Sequence, residues 1–149
     1  MDNFIRVYEN AFSDELCDRL INKFESTPDI NKERHDMGEM HFSQVNFRAC
    51  GWKEEQNELV NIFLSHTKKY TDDVGITTEF PQKYALEDIR LKKYMPDGND
   101  QFGSHVDVVD KNTSTRFLVF FVYLDDNISG GTHFDRINLT SPCKKGSIL

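Results

Sequence analysis

The sequence predicts an α+β domain, mainly β, with helices first and an antiparallel β unit after them. Three observations predict it. Residues 13–28 carry apolar side chains at helical spacing, and residues 54–70 do so again. From residue 85 the texture changes to alternating strands, turn residues and the apolar run RFLVFFVYL. The 149 residues fit one domain, with a helical part over about 1–84 and a β core over about 85–149. A chain of this size buries roughly 68–70% of its unfolded surface, so one real core is expected.

Phe4 to Tyr8 alternates loosely and reads as a short strand. Ser13 then offers a helix N-cap, and Asp14 and Glu15 follow in the first turn, where the helix dipole favours acids. Leu16, Cys17, Leu20, Ile21 and Phe24 make one apolar stripe, and Pro28 closes the segment. Asn31 to Gly38 is polar and reads as an exposed loop; Phe42, Val45 and Phe47 suggest a strand after it. A second helix is expected from about Glu54 to Tyr70, with Leu59, Val60, Phe63 and Thr67 on its buried side. Residues 71–83 form a connector, where Pro81 disfavours helix for the residue before it. Ile89 to Tyr94 alternates again, and Met95-Pro96-Asp97-Gly98-Asn99-Asp100 is a turn by composition. Arg116 to Leu124 is apolar on both faces, which predicts a central, covered strand. Gly130-Gly131 reads as a tight turn, Thr132-His133-Phe134 as a strand start, and Pro142 and Gly146 punctuate the last residues.

Composition narrows the function classes. The chain is 38% apolar and 29% charged, with 12 Phe, which excludes collagen, a coiled coil and wholesale disorder. No run approaches the ~18 apolar residues of a membrane span. A net charge of −7 counts against phosphate-backbone binding, which needs clustered Lys and Arg, so nucleic acid is not favoured as a partner. Met1-Asp2-Asn3-Phe4-Ile5-Arg6 lacks the basic and apolar regions of a secretory signal. Cys17, Cys50 and Cys143 are odd in number and form no C-x-x-C pair, so buried or half-buried thiols in a reducing cytoplasm are expected.

Of five histidines, one belongs to a compact ligand pair. Ser104-His105-Val106-Asp107 sets an imidazole and a carboxylate two residues apart, which on a strand puts both on one face. Imidazole plus carboxylate suits a divalent first-row metal, and a facial set of two His and one carboxylate with open positions marks non-haem Fe(II) oxygenases. An isolated H-x-D arises often by chance, so its surroundings carry the weight. Tyr123 shares parity with Phe117, Val119 and Phe121, a single phenol among apolar neighbours, and a buried phenol needs a partner.

The segments YMPDGNDQFGSHVD and RFLVFFVYLDDNISGGTHF, with the head FIRVYENAFSDELCDRLINKF, resemble the iron(II)- and 2-oxoglutarate-dependent dioxygenases, specifically the prolyl 4-hydroxylase-like branch of short phage and bacterial type. The resemblance is strongest over 89–149 and 1–24 and weak across 29–84. It implies a double-stranded β-helix, a jelly-roll-like, cupin-like core. It implies that His105 and Asp107 are the first two iron ligands and that Tyr123 and Tyr94 lie on the 2-oxoglutarate side. Arg116 would stand at the pocket mouth. Plainer roles remain open for each: a core tyrosine bonded to backbone for Tyr123, a tyrosine packing the turn for Tyr94, a solvated strand-end arginine for Arg116. The implied activity is hydroxylation of an unactivated C–H bond, on a prolyl or other peptide or protein residue, with O2 and 2-oxoglutarate giving succinate and CO2. Fe(II) is the implied metal, 2-oxoglutarate the cosubstrate and ascorbate an accessory. A cupin-like isomerase or sugar-binding protein would carry clustered histidines that this chain lacks.

The family pattern also has a second histidine beyond the glycine pair and a later Lys or Arg for the distal carboxylate of 2-oxoglutarate. Neither is found, and Lys144 and Lys145 come too early. His133 neighbours Phe134, which resembles the inward position, so His133 is expected to face away from the metal. His35, His41 and His66 have no ligand partner at useful spacing and read as surface or loop residues. The expectation is a domain incomplete at its C-terminus, with its last strands missing, or else a catalytically dead β-helix that binds a ligand or partner. The sequence assigns no oligomeric state.

Overall fold

The computed structural model describes residues 4–96 and 99–149. Helix α1 spans Asp14–Ser26, and its first turn is held as the sequence predicts: the Leu16 amide donates to Ser13 Oγ at 3.2 Å. Its stripe Leu16, Cys17, Leu20 and Phe24 is buried. Helix α2 spans Lys53–Val74 and buries Leu59, Phe63, Thr67 and Tyr70. It runs past the expected end near Tyr70 because the polar stretch Thr71-Asp72-Asp73 stays helical. Gly75 stops it in the left-handed region at φ 72°, a conformation glycine reaches without steric cost.

The polar stretch after α1 is not a loop. A 3₁₀ turn over Asp29–Asn31 leads into strand β1 (Glu33–Met37), which pairs antiparallel with β2 (Met40–Asn46) through a turn at Gly38, φ 58°. The hairpin escapes the hydrophobic pattern because β1 is an edge strand held by polar contacts. Arg34 grips Asp36 and Asp100, and Gln44 Nε2 donates to Glu33 at 2.7 Å. Two strands therefore stand between the helices, and β2 is the centre of the main sheet. Strand β3 (Arg90–Lys93) and the short β4 (Gln101–Phe102) share the other edge of β2, both antiparallel. The expected turn over 95–100 includes Asp97 and Gly98, which lie outside the described residues. Its flanks are tied where Asp100 accepts from the Met95 amide at 2.9 Å.

One face of this sheet packs on the helices. Val45, Phe47, Ile89 and Leu91 join Leu16, Leu20, Phe24, Trp52, Leu59 and Phe63 in one core. Cys17 is buried in that core, while Cys50 and Cys143 are half-buried. No helix among the described residues is long and apolar enough to cross a membrane.

Residues 116–124 differ from the expected central strand. The stretch is extended, and its ladder is confined to the last residues of the chain: Phe121 exchanges both backbone bonds with Leu149 at 2.9 Å, and the Tyr123 amide donates to Ser147 at 3.1 Å. Tyr8 pairs with Ile148 from the other side. The strand expected over 4–8 thus shrinks to one bridge. Leu118, Phe120, Val122 and Leu124 pack on the core, with Phe120 stacked on Phe63 at 5.5 Å. Phe117, Val119 and Phe121 face outward, 52%, 40% and 38% exposed. The run is apolar on both faces, yet among the described residues the second face is covered only in part, by Phe80 and Tyr84 against Phe117.

Strands β5 (Asn127–Phe134) and β6 (Leu139–Cys143) form a second, two-stranded antiparallel sheet. Gly130-Gly131 is not a tight turn; it lies inside β5, where the register slips between Asn127 and Thr132. The reason is close approach. A Cβ on Gly131 would fall 2.3 Å from the Ser141 carbonyl oxygen, so this bulge takes only glycine.

Candidate functional site

The face of the main sheet turned away from the helices carries the candidate site. Strand alternation places Phe42 and Gln44 of β2 and Lys92 of β3 on that face, and Phe42 is its hub. His35 of β1 stacks on Phe42 at 4.7 Å; the Tyr94 ring lies 5.6 Å away and the Phe102 ring 5.3 Å away. His105 sets its ring edge-on to Phe102 at 4.2 Å.

His105 and Asp107 lie in an irregular segment just after β4 rather than on a strand, which corrects the strand premise used to align them. The segment still brings them together: His105 Nε2 is 3.7 Å from Asp107 Oδ1. The backbone makes this possible in two steps. The Gly103 amide donates to the Glu39 carbonyl at 2.8 Å, and Gly103 approaches Glu39 so closely that a Cβ would sit 2.4 Å from the Glu39 Cβ. The Gly103 carbonyl then accepts from His105 Nδ1 at 2.8 Å. A carbonyl only accepts, so Nδ1 donates there, and Nε2 is the nitrogen turned toward Asp107 and the one a metal would take. Both side chains are part-exposed, at 33% and 43%.

Arg116 is exposed, and its guanidinium is already engaged. Its Nε and Nη2 close a two-point ion pair with Glu87 at 2.6 and 2.9 Å, and its Nη1 donates to the Asp107 carbonyl at 3.0 Å. Glu87 is held below its ordinary carboxylate range, first by the hydrogen bonds from Arg116. The guanidinium anchors the 105–107 segment.

Tyr94 follows β3 directly, and its ring is 43% exposed. Atoms crowding its phenol, with the Asp100 charge second, push its pKa up to about 12. Tyr123 has found the partner a half-buried phenol needs: its hydroxyl pairs with Thr132 Oγ1 at 2.6 Å and accepts from the Thr132 amide at 3.1 Å. Among the described residues no hydrogen bond or ring contact joins Tyr123 to His105, Asp107 or Tyr94. The structure brings His105, Asp107 and Tyr94 around the Phe42–Phe102 hub and ties Tyr123 to β5.

Of the other histidines, His35 stacks on the hub and the rest have partners elsewhere. His133 Nδ1 pairs with Thr140 Oγ1 at 2.8 Å, and its Nε2 lies 3.5 Å from Asp135. His41 bonds Asp36 at 3.1 Å and the Gly38 carbonyl at 2.8 Å, and His66 packs edge-on to Tyr8. His35, His41 and His66 thus sit on β1, β2 and α2 rather than in loops. Among the described residues no three His, Cys, Asp or Glu side chains converge to hold one ion.

Two neighbours of the candidate site escape the sequence reading. Ser104 donates to Asp135, in the 3₁₀ turn between β5 and β6, and nothing in the sequence links those positions. Lys92 places its ammonium 3.9 Å from the Phe102 ring centre and 4.6 Å from that of Phe42. Its parity with Tyr94 on β3 is the signal that finds it.

A scan against protein-family models, a search of curated proteins and a search of solved structures each return no match to this chain.

Proposed function

We propose that this chain is an iron(II)- and 2-oxoglutarate-dependent oxygenase domain of the prolyl 4-hydroxylase-like branch, built on a double-stranded β-helix. The observation that carries the reading is the His105 Nε2–Asp107 Oδ1 approach of 3.7 Å, with Nδ1 committed to the Gly103 carbonyl. The donor chemistry fits: one neutral imidazole nitrogen and one carboxylate oxygen are two members of the facial set that holds ferrous ion. Further support comes from the layering. Helices cover one face of an antiparallel sheet, and the other face carries the aromatic hub beside the pair.

In this reading His105 and Asp107 hold the metal, with Gly103 and Arg116 fixing their orientation. Bound there with 2-oxoglutarate, iron(II) supplies the oxidising power of O2 for C–H hydroxylation, with succinate and CO2 as by-products. Phe42 and Phe102 wall the site and keep it apolar beside the pair. Tyr94 presents a phenol that stays protonated across the working pH range and donates to a ligand oxygen. A prolyl or other peptide residue is the proposed substrate, on the resemblance alone. Ascorbate would serve as the reductant that keeps the iron ferrous.

A second reading, a catalytically silent β-helix that binds a ligand or partner, is favoured by the pair being joined by no third ligating side chain among the described residues. Anaerobic titration with Fe(II) and then 2-oxoglutarate decides between them. The oxygenase reading expects a visible charge-transfer band that is lost in Asp107→Ala. No band at saturating iron and 2-oxoglutarate would leave the binding protein.

A further inference from the structure

Register sets His41 of β2 opposite Asp36 of β1 on one side and opposite Gln101 of β4 on the other. Its Nδ1 lies 3.1 Å from Asp36 Oδ1, and its Nε2 lies 2.8 Å from the Gly38 carbonyl oxygen. A carboxylate and a carbonyl only accept hydrogen bonds. A neutral imidazole has one N–H and one lone pair, so it satisfies one of these contacts and turns its lone pair on an oxygen in the other. The imidazolium alone donates to both. Among the described residues no other histidine is held this way: His66 and His105 set one nitrogen on a carbonyl, His133 meets a hydroxyl, and His35 stacks on a ring. The surrounding charges balance in the protonated state. Asp36 and Arg34 face His41 from β1, and Asp100 faces it from just before β4. Arg34 donates to both carboxylates, so two cations meet two anions, and loss of the His41 proton leaves a carboxylate charge in excess. Glu39, in the turn itself, packs its side chain on Gly103.

We propose that His41 is a proton-operated clasp on the β1–β2 turn: its imidazolium ties Asp36 to the Gly38 carbonyl, and its deprotonation loosens the turn and the Gly103 segment that hangs from it. The coupling runs through one backbone bond. Glu39 accepts from the Gly103 amide at 2.8 Å, one step beyond the pairs Met40–Phe102 and His41–Gln101. Gly103 in turn accepts from His105 Nδ1, so slack in the turn passes to the segment that follows β4. Apolar packing does not hold the turn in place of the clasp, because residues 37–40 are all exposed. The Asp36 carboxylate first, then the Gly38 carbonyl, raise the His41 pKa, against partial desolvation and the Arg34 charge. With the folded-state value above the unfolded one, the clasp is closed below the ordinary imidazole value of 6.5 and opens as the pH rises through the raised one. The clasp belongs to the hairpin and stands apart from any metal at the His105–Asp107 pair.

Two readouts on the full chain, taken between about pH 5 and 9, test this. Long-range proton–nitrogen spectra follow each imidazole. Hydrogen exchange gives the protection factor of the Gly103 amide, corrected for the intrinsic pH dependence of exchange. His41 should titrate above its value in the urea-unfolded chain. Over the same pH interval Gly103 protection should fall about three- to tenfold, the scale of one net hydrogen bond. Asp36→Asn should move both transitions to lower pH together. His41→Gln, neutral at every pH, should show the low Gly103 protection throughout, with no step. The Tyr8 amide, bonded to Ile148 far from the turn, should show no step in any of the chains. His41 titrating at or below its unfolded value overturns the clasp. So does Gly103 protection that stays flat while His41 titrates, or a Gly103 step that survives in His41→Gln. A step shared by the Tyr8 amide means that the whole fold loosens, and overturns it too. If His41→Gln does not fold, Asp36→Asn decides: a Gly103 step that fails to follow His41 to lower pH overturns the proposal, and one that follows it supports it.

Discussion

Arg116 holds the backbone of Asp107, not its carboxylate: Nη1 donates to the Asp107 carbonyl at 3.0 Å while the rest of the guanidinium is fixed by Glu87. The segment that carries the proposed ligand pair is therefore braced through its backbone. Outer contacts of this kind set metal affinity through orientation, and their loss typically costs about 10–100-fold. Arg116→Ala is expected to weaken Mn(II) or Co(II) binding by about that factor, whereas Asp107→Ala should abolish it. Glu87→Gln should fall between, because the arginine keeps its carbonyl contact but loses its charged brace. Equilibrium metal titration of the three variants gives the ranking, and equal loss in all three would contradict a bracing role.

The His105 tautomer depends on Gly103. Its carbonyl receives the Nδ1 proton at 2.8 Å, and its Cα lies where a Cβ would collide with Glu39. Gly103→Ala should displace the carbonyl and free the imidazole to exchange tautomers. The expected result is metal affinity reduced about tenfold or more with little change in melting temperature, since the segment lies outside the core. The Nδ1 and Nε2 signals in long-range proton–nitrogen spectra report the tautomer directly. An unchanged tautomer in Gly103→Ala would refute the coupling.

Asp100 gives a pH dependence of known sign. Hydrogen bonds from Arg34, then from the Met95 amide, lower its pKa from 3.8 to about 2. A folded-state pKa below the unfolded value contributes stability above pH 3.8, and that contribution is lost as the pH falls through about 2. Asp100→Asn lacks it throughout. The urea midpoint of the wild type should exceed that of Asp100→Asn at neutral pH, and the gap should close as acid protonates Asp100. A gap that persists below pH 2 would mean that packing, not charge, sets the difference.

The helices were legible because they rest on local chemistry, and so was the nearness of His105 and Asp107, although not on the strand first expected to align them. Ser13 caps α1, the stripe Leu16, Cys17, Leu20 and Phe24 buries one face, and two residues of spacing join His105 to Asp107. Strand β2 was legible from Phe42, Val45 and Phe47, but its hairpin partner β1 was not, because β1 is polar and is tied down by a contact distant in sequence, Arg34 with Asp100. Gly130-Gly131 misled for a different reason. A glycine pair allows a turn and also allows a close strand crossing, and only the Ser141 carbonyl decides which. The run 116–124 misled because residues apolar on both faces imply two covering layers, and the described residues supply one and, at Phe117, part of a second. Lys92 reads as an ordinary surface lysine until β2 and β4 bring Phe42 and Phe102 around it.

The last residues of the chain are built into the core, and Gly146 is the test of that claim. Its φ of 74° is left-handed, and a Cβ there would sit 2.5 Å from the Phe12 carbonyl oxygen. Its carbonyl accepts from the Phe12 amide at 3.0 Å and its amide donates to Tyr123 at 2.8 Å, so the backbone has no room to yield. Gly51 supplies the control, with a similar φ of 70° and nothing within 4 Å of its Cβ position. Gly51→Ala is expected to cost about 1–2 kcal/mol, the left-handed penalty alone. Gly146→Ala adds a collision with backbone and should cost about 3 kcal/mol or more, since the strain penalty and the displaced contacts sum. At about 2–4 °C per kcal/mol for a chain near this size, the two melting temperatures should differ by several degrees. Hydrogen exchange locates the damage. The Tyr8, Phe121 and Leu149 amides should lose protection in Gly146→Ala and keep it in Gly51→Ala, because only the first variant pries Ile148 from between its two neighbouring strands.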